Sequence, residues 1–203
     1  MSVLAQYRIG ESIGGDQDWF EDDWMKRGGC GAITACECCI FLARERGMRA
    51  LYPFDAQNIT REDFLAFGMR MKPYLPPRMM GINKTSLLMD GFREYLSDCA
   101  DDYGLKMTSV EGTEPFSVAE QAVRAQIEAG FPVPYLMLRH TDDALYDFIW
   151  HWFIVDGIED RDGKPFVRTL TFGKAIWLDF PHLWDTGNEE KGGFILLSTE
   201  KPE

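Results

Sequence analysis

The feature of this chain that most restricts its fold is the separation of helical and strand patterns along its length. Helical patterns occupy residues 30–46, 60–71, 85–103 and 117–130. Strand-like segments occupy residues 105–110, 132–138, 148–157, 166–172, 175–180 and 193–198. The residues from 159 to 164 have the composition of a hairpin turn. Helices first and antiparallel strands later predict the α+β class.

The size and composition favour one globular domain. The chain has 203 residues, of which 45% are hydrophobic, and it contains no low-complexity linker. We therefore expect a single domain over residues 1–203. No segment approaches the run of about 20 apolar residues that spans a bilayer, and residues 1–15 do not resemble a signal peptide. We expect a cytoplasmic protein that does not enter a membrane.

The charge of the chain argues against a nucleic-acid partner. There are 33 acidic and 21 basic residues, which gives a net charge of −12. Nucleic-acid binding needs a clustered basic face, and the basic residues from 70 to 84 are sparse. The acidic residues are those of a solvated surface.

The five cysteines predict neither disulfides nor a metal site. They stand at positions 30, 36, 38, 39 and 99. Close neighbours on one helix do not easily meet disulfide geometry. Cys36 and Cys39 have the spacing of half a zinc site, but the chain offers no second pair at a matching spacing. We therefore expect no metal and no cofactor.

Cys30 is the strongest candidate for a reactive group. Gly28, Gly29 and Gly31 surround it, and an apolar helix follows directly. Glycines allow a close approach of the backbone to the sulfur, and the N-terminus of a helix favours a thiolate. The alternative interpretation is a buried cysteine in a patch of small residues.

A nucleophilic cysteine needs a base, and histidine is the usual one. His140 follows a strand and precedes a polar loop, while His182 lies in a short surface helix by pattern. His151 begins a β-rich stretch that should be buried on at least one face. A strand histidine that faces a helix start suits cysteine–histidine chemistry, so we select His151.

These two motifs carry a resemblance to a known family. Cys30-Gly31 with Ala35 at the start of a helix, and the segment 151–157 far downstream, resemble the papain-like cysteine peptidases. The likeness is strongest to the bacterial branch that includes the double-glycine (bacteriocin-processing) peptidase domains, and it covers residues 17–171. It implies a papain-like fold in which an N-terminal helix carrying Cys30 packs on an antiparallel sheet or half-barrel carrying His151.

The resemblance also implies acyl transfer by a Cys30 thiolate and a His151 imidazolium. The oxyanion would be bound by the Cys30 backbone N–H and by a side-chain amide upstream. Gln17 supplies the only amide side chain between Gly10 and Cys30, although it lies farther from the cysteine than is usual in the family. Gln17 is therefore either this donor or a polar loop residue.

The residue that orients His151 is the least defined member of the site. The family uses an Asn or Asp on the following strand, and residues 167–173 contain neither. Thr171 lies nearest the expected place, and its hydroxyl can accept a hydrogen bond from the imidazole. Asp156 should point to the opposite face of the strand, and Asp179 would reach His151 only if the hairpin twists.

The sequence thus predicts a cysteine hydrolase that acts on a peptide or amide bond. One alternative is a catalytically degenerate papain-like domain that binds a peptide or small ligand in the same cleft. Another is an acyltransferase, since the Arg27-Gly28-Gly29-Cys30 run resembles arylamine N-acetyltransferases. The long loop 76–84 is a candidate lid over the site.

Overall fold

The computed structural model describes residues 1–99 and 103–199. Helices and a mainly antiparallel sheet are both present, so the predicted α+β class is confirmed. The helices are α1 (Asp23–Gly28), α2 (Cys30–Glu45), α3 (Arg61–Met71), α4 (Thr85–Ser97), α5 (Phe116–Glu128) and α6 (Phe180–Trp184). Short 3-10 turns occupy Gln17–Trp19, Arg49–Leu51 and Asp143–Phe148.

The described residues form nine strands in two sheets. They are β1 (Ser2–Val3), β2 (Arg8–Ile9), β3 (Ser12–Ile13), β4 (Leu105–Glu111), β5 (Val133–Met137), β6 (His151–Arg161), β7 (Lys164–Thr171), β8 (Lys174–Asp179) and β9 (Gly192–Thr199). The main sheet has the order β4-β9-β5-β6-β7-β8, and β1 also pairs with β6. Every pairing in this sheet is antiparallel. Strands β2 and β3 form a separate hairpin.

The main sheet lies between two groups of helices. One apolar cluster joins side chains of α2, α3 and α4 to one face of the sheet. A second cluster joins α5 and α6 to the other face. Helix α2 is central to the first layer, and every residue from 30 to 43 is buried. Small side chains at Gly31, Ala32 and Ala35 let it pack closely on several sides.

The hairpin of β6 and β7 places two of the predicted site residues. Its turn, Asp162-Gly163, has φ of 49° and 77°, which is the backbone of a type I′ turn. Ile154 pairs with Leu170, so Thr171 at the end of β7 lies beside the start of β6. The register shifts by one residue between Val155 and Gly157, where β6 contains a bulge.

Several element boundaries differ from the sequence prediction. The helix expected from residue 117 begins one residue earlier, at Phe116 after Pro115, and no side chain caps it. Helix α4 ends at Ser97 and so is shorter than predicted; residues 100–102 of the predicted range lie outside the described part. The strand expected from 148 begins at His151, since Asp143–Phe148 forms a 3-10 turn capped by Asp142.

The N-terminal segment packs against the site. Ile13 donates a backbone hydrogen bond to Gly173, and Gly173 donates one to Gly15. These bonds attach the chain before Gln17 to the loop that follows Thr171. Nowhere in the described residues is a helix both long enough and apolar enough to cross a membrane.

Candidate active site

Cys30 is the first residue of α2, directly after the end of α1. Its side chain is 6% exposed. The backbone N–H groups of Trp152, Gly31 and Cys30 itself face the sulfur and favour a thiolate, but burial has the larger effect and raises the pKa of the Cys30 thiol. Trp152, the residue that follows His151, lines the same small space as Cys30.

The glycines around Cys30 serve a different purpose from the one expected. A Cβ at Gly29 would lie 2.4 Å from the carbonyl oxygen of Met25, and one at Gly31 would lie 2.8 Å from Cδ1 of Ile82. A Cβ at Gly28 would approach the carbonyl oxygen of Arg78 to 3.2 Å. These glycines therefore allow α1 and the loop before α4 to pack against the start of α2.

His151, the first residue of β6, is held on one nitrogen and one ring face. Its Nε2 atom lies 2.7 Å from Oγ1 of Thr171. The ring stacks on Phe172 with centroids 4.7 Å apart and an interplanar angle of 7°. Thr171 thus occupies the place expected from the sequence, and its contact leaves Nδ1 as the ring nitrogen available to a reacting group.

Two bulky residues beside this pair have left-handed backbone conformations. Trp150, directly before His151, has φ of 54°, and Phe172, directly after Thr171, has φ of 52°. Such angles are unusual for aromatic residues, and strain of this kind is concentrated at functional sites. At Phe172 the conformation accompanies the stacking of its ring on His151.

All four predicted site residues line one small enclosed space. We call it the inner cavity; it has a volume of about 20 Å³, and its walls include Gln17, Cys30, His151, Thr171 and Glu37. A second space, the outer cavity, has a volume of about 290 Å³ and shares Gln17, Cys30 and His151 with the inner one. The structure therefore brings the four residues together, while their chemical roles stay predictions.

A larger cavity lies elsewhere. It has a volume of about 510 Å³, and its charged lining residues are Lys84, Glu111, Glu189, Glu190 and Lys191. It contains neither Cys30 nor His151. The Thr85 hydroxyl donates to Glu111 there, but no cysteine or histidine is among the described residues that line it. We therefore place the candidate active site at the two smaller cavities, which Cys30 and His151 both line.

Gln17 is fixed by the segment that precedes Cys30. Its Nε2 atom donates to the carbonyl oxygen of Lys26 at 2.8 Å. The Oε1 atom is buried and has no hydrogen-bond partner. The amide nitrogen carries a second N–H, which remains for an oxyanion. Gln17 therefore lines the same cavity as Cys30, although the two are 13 positions apart in the sequence.

The other candidates for a base or an orienting residue have different partners. Nε2 of His182 lies 2.8 Å from Asp142, and Nε2 of His140 lies 3.0 Å from the carbonyl oxygen of His182. Asp156 forms a buried pair with Arg168, and Asp179 caps α6. Neither aspartate contacts His151, so Thr171 is the side chain that holds its Nε2.

Glu37 belongs to the site and was missed in the sequence. It lies two turns after Cys30 on α2, where a seven-residue spacing places both side chains on one helix face. The Tyr7 hydroxyl and the Gly15 N–H donate to its carboxyl group. Burial raises the pKa of Glu37 to about 7. The spacing was the available signal, but a single Glu in an apolar helix has no specific pattern.

Burial changes the pKa values of both Cys30 and His151. Burial raises the pKa of the Cys30 thiol and lowers the pKa of His151 to about 4. No carboxylate among the described residues contacts the imidazole to offset this desolvation. Both shifts favour a neutral thiol and a neutral imidazole at neutral pH, while the thiolate and imidazolium expected from the sequence stay a prediction.

We expect NMR to show His151 titrating near pH 4, well below the ordinary 6.5. The resonance would be assigned by its loss in His151→Gln. Between pH 6.5 and about pH 4 the unfolded chain binds more protons at His151 than the folded protein does. His151 therefore lowers the free energy of unfolding as the pH falls through this window. His151→Gln should therefore weaken the acid dependence of urea unfolding. A titration midpoint above about 6 would contradict the desolvated imidazole.

Comparison with known proteins does not assign the chain to a family. The chain matches no protein-family model, no curated protein and no solved structure.

Proposed function

We propose that the protein is a cysteine hydrolase with a papain-like arrangement, which cleaves a peptide or amide bond. Cys30 is the nucleophile and His151 is the base. The observation that carries this proposal is that Cys30 and His151 line one small cavity, in which Nε2 of the histidine is already held by Thr171. A buried thiol beside an oriented imidazole is the arrangement that acyl transfer requires.

The neutral resting pair suits a reaction in which proton transfer accompanies attack. Nδ1 of His151 takes the thiol proton as the sulfur adds to the carbonyl carbon. The proton then passes to the leaving amine as the C–N bond breaks, which leaves a thioester on Cys30. Water adds to this thioester with His151 as base, and the acid is released while the thiol is restored.

The first turn of α2 and Gln17 support stabilisation of the oxyanion. The first four N–H groups of a helix have no partner within the helix, and Cys30 is the first residue of α2. The second N–H of the Gln17 amide is the side-chain donor in this proposal. Donors placed before the reaction stabilise the tetrahedral intermediate without reorganisation.

One observation favours a second candidate function, a degenerate domain that binds a ligand in the same cleft. Thr171 provides a hydroxyl where a carboxylate would stabilise an imidazolium more strongly. A protein that does not form an imidazolium has no need for that carboxylate. The same experiment separates the two functions.

The test is acyl transfer from a p-nitrophenyl ester, followed by intact mass and peptide mapping. We expect a burst of p-nitrophenol and an acyl group on Cys30 in the unaltered protein. Cys30→Ala should abolish both signals. Cys99→Ala is the matched control, because Cys99 is half-buried and lies outside both cavities. Adducts on Cys99 alone, or a burst that survives Cys30→Ala, would contradict the proposal.

A further inference from the structure

The outer cavity carries positive charge in a strongly acidic protein. Arg27, Arg78 and Arg139 all line it, together with Cys30 and His151. No Asp or Glu is among the described residues that line it. The chain as a whole has a net charge of −12. The lining next to Cys30 is therefore cationic, although the molecule as a whole is acidic.

Arg27 and Arg78 have no ion-pair partner among the described residues. Arg27 lies in the last turn of α1, three residues before Cys30. Arg78 lies in the loop between α3 and α4. The two segments touch, since a Cβ at Gly28 would lie 3.2 Å from the carbonyl oxygen of Arg78. Arg27 and Arg78 thus line the outer cavity from two segments whose backbones are in contact.

Arg139 is already neutralised. Its guanidinium group forms an ion pair with Glu190 and lies 5.8 Å from the centroid of the Trp150 ring. Arg27 and Arg78 are therefore the two lining arginines without an ion-pair partner among the described residues. A guanidinium group without a partner, beside a cavity of about 290 Å³, is suited to bidentate binding of a carboxylate.

We infer that the outer cavity binds an acyl substrate that carries a carboxylate close to the bond attacked by Cys30. Arg27 and Arg78 bind the carboxylate, and the adjacent carbonyl group lies between Cys30 and His151. The inference rests on the proposed function for the identity of the scissile bond. The carboxylate belongs either to an acidic side chain or to the C-terminus of a short peptide, and both present the same group to the arginines.

The experiment compares matched peptide substrates. One pair has Glu or Gln beside the scissile amide, and the other has a free C-terminal carboxylate or a carboxamide. We expect kcat/KM to favour the charged member of at least one pair by about tenfold or more, and the responding pair identifies the source of the carboxylate. In the Arg27→Gln/Arg78→Gln double variant this ratio should fall to about one. Arg49→Gln, an exposed arginine outside both cavities, should keep it.

A binding measurement separates this inference from the proposed function. Fluorescent forms of the same peptides are titrated into Cys30→Ala protein, where no turnover is needed. Tighter binding of the charged peptides that is lost in Cys30→Ala with both arginine changes supports the inference, even if the unaltered protein hydrolyses nothing. Turnover with equal kcat/KM for charged and neutral peptides overturns the inference and leaves the hydrolase intact. Equal binding of both peptide types also overturns it.

Discussion

Replacing His151 with alanine is expected to lower kcat/KM for amide cleavage by about 10²–10⁴-fold, the range that a general base contributes. The variant loses the group that takes the Cys30 proton, and the raised pKa of the thiol leaves little thiolate to react unaided. Steady-state hydrolysis of the preferred peptide measures the effect. An unchanged rate in folded His151→Ala would exclude the proposed pair.

Substitutions at Thr171 are expected to lower the rate of amide cleavage less than the loss of His151 does. Thr171→Val removes the hydroxyl that contacts Nε2 of His151 while keeping the shape of the side chain. We expect kcat to fall by about tenfold, because one hydrogen bond no longer orients the ring. Thr171→Ser is the matched control, since it keeps the hydroxyl and should retain most of the rate. A loss in Thr171→Ser equal to that in Thr171→Val would assign Thr171 to packing rather than to positioning.

Replacing Gly29 with alanine is expected to destabilise the fold by about 1–3 kcal/mol or more. The added Cβ would lie 2.4 Å from the carbonyl oxygen of Met25, and backbone atoms cannot move aside as the end of a flexible side chain can. The junction of α1 and α2 must therefore open, which also displaces Cys30. Urea unfolding measures the free energy, and ester turnover measures the displacement.

Gly28→Ala is the matched control for this prediction. It adds the same methyl group one residue earlier, but the nearest atom would be 3.2 Å away, at the carbonyl oxygen of Arg78. We expect a smaller loss of stability than for Gly29→Ala. Equal destabilisation by the two substitutions would show that the contact with Met25 is not what requires glycine at position 29, since alanine itself favours a helix more than glycine does.

The parts of the fold that were foreseen have strong local patterns. Helix α2 begins at Cys30 as predicted, since a glycine-rich segment precedes a long apolar one. Thr60 caps α3 by accepting from the N–H of Asp63. The hairpin of β6 and β7 was visible from its turn composition, and this hairpin brings Thr171 to His151. The turn composition thus predicted the hairpin that brings Thr171 into contact with His151.

Other parts depend on contacts that a sequence does not display. Strands β1–β3 have two residues each and therefore carry no periodicity. Helix α1 is only one and a half turns long, and its start depends on Asp22 as a cap. The raised pKa of Cys30 and the lowered pKa of His151 both follow from desolvation, which is a property of the packed site. For the same reason the sequence did not indicate that Glu37 belongs to the site. Its carboxyl group is held there by hydrogen bonds from Tyr7 and Gly15, which form only in the folded protein.

Three sulfhydryl groups of α2 are sealed inside the molecule. Cys36, Cys38 and Cys39 each show 0% exposure, and burial raises the pKa of each thiol. A disulfide reagent in solution can meet them only when the helix separates from its neighbours. Their rate of modification therefore measures how often the core of the protein opens locally, and no added label is needed for that measurement.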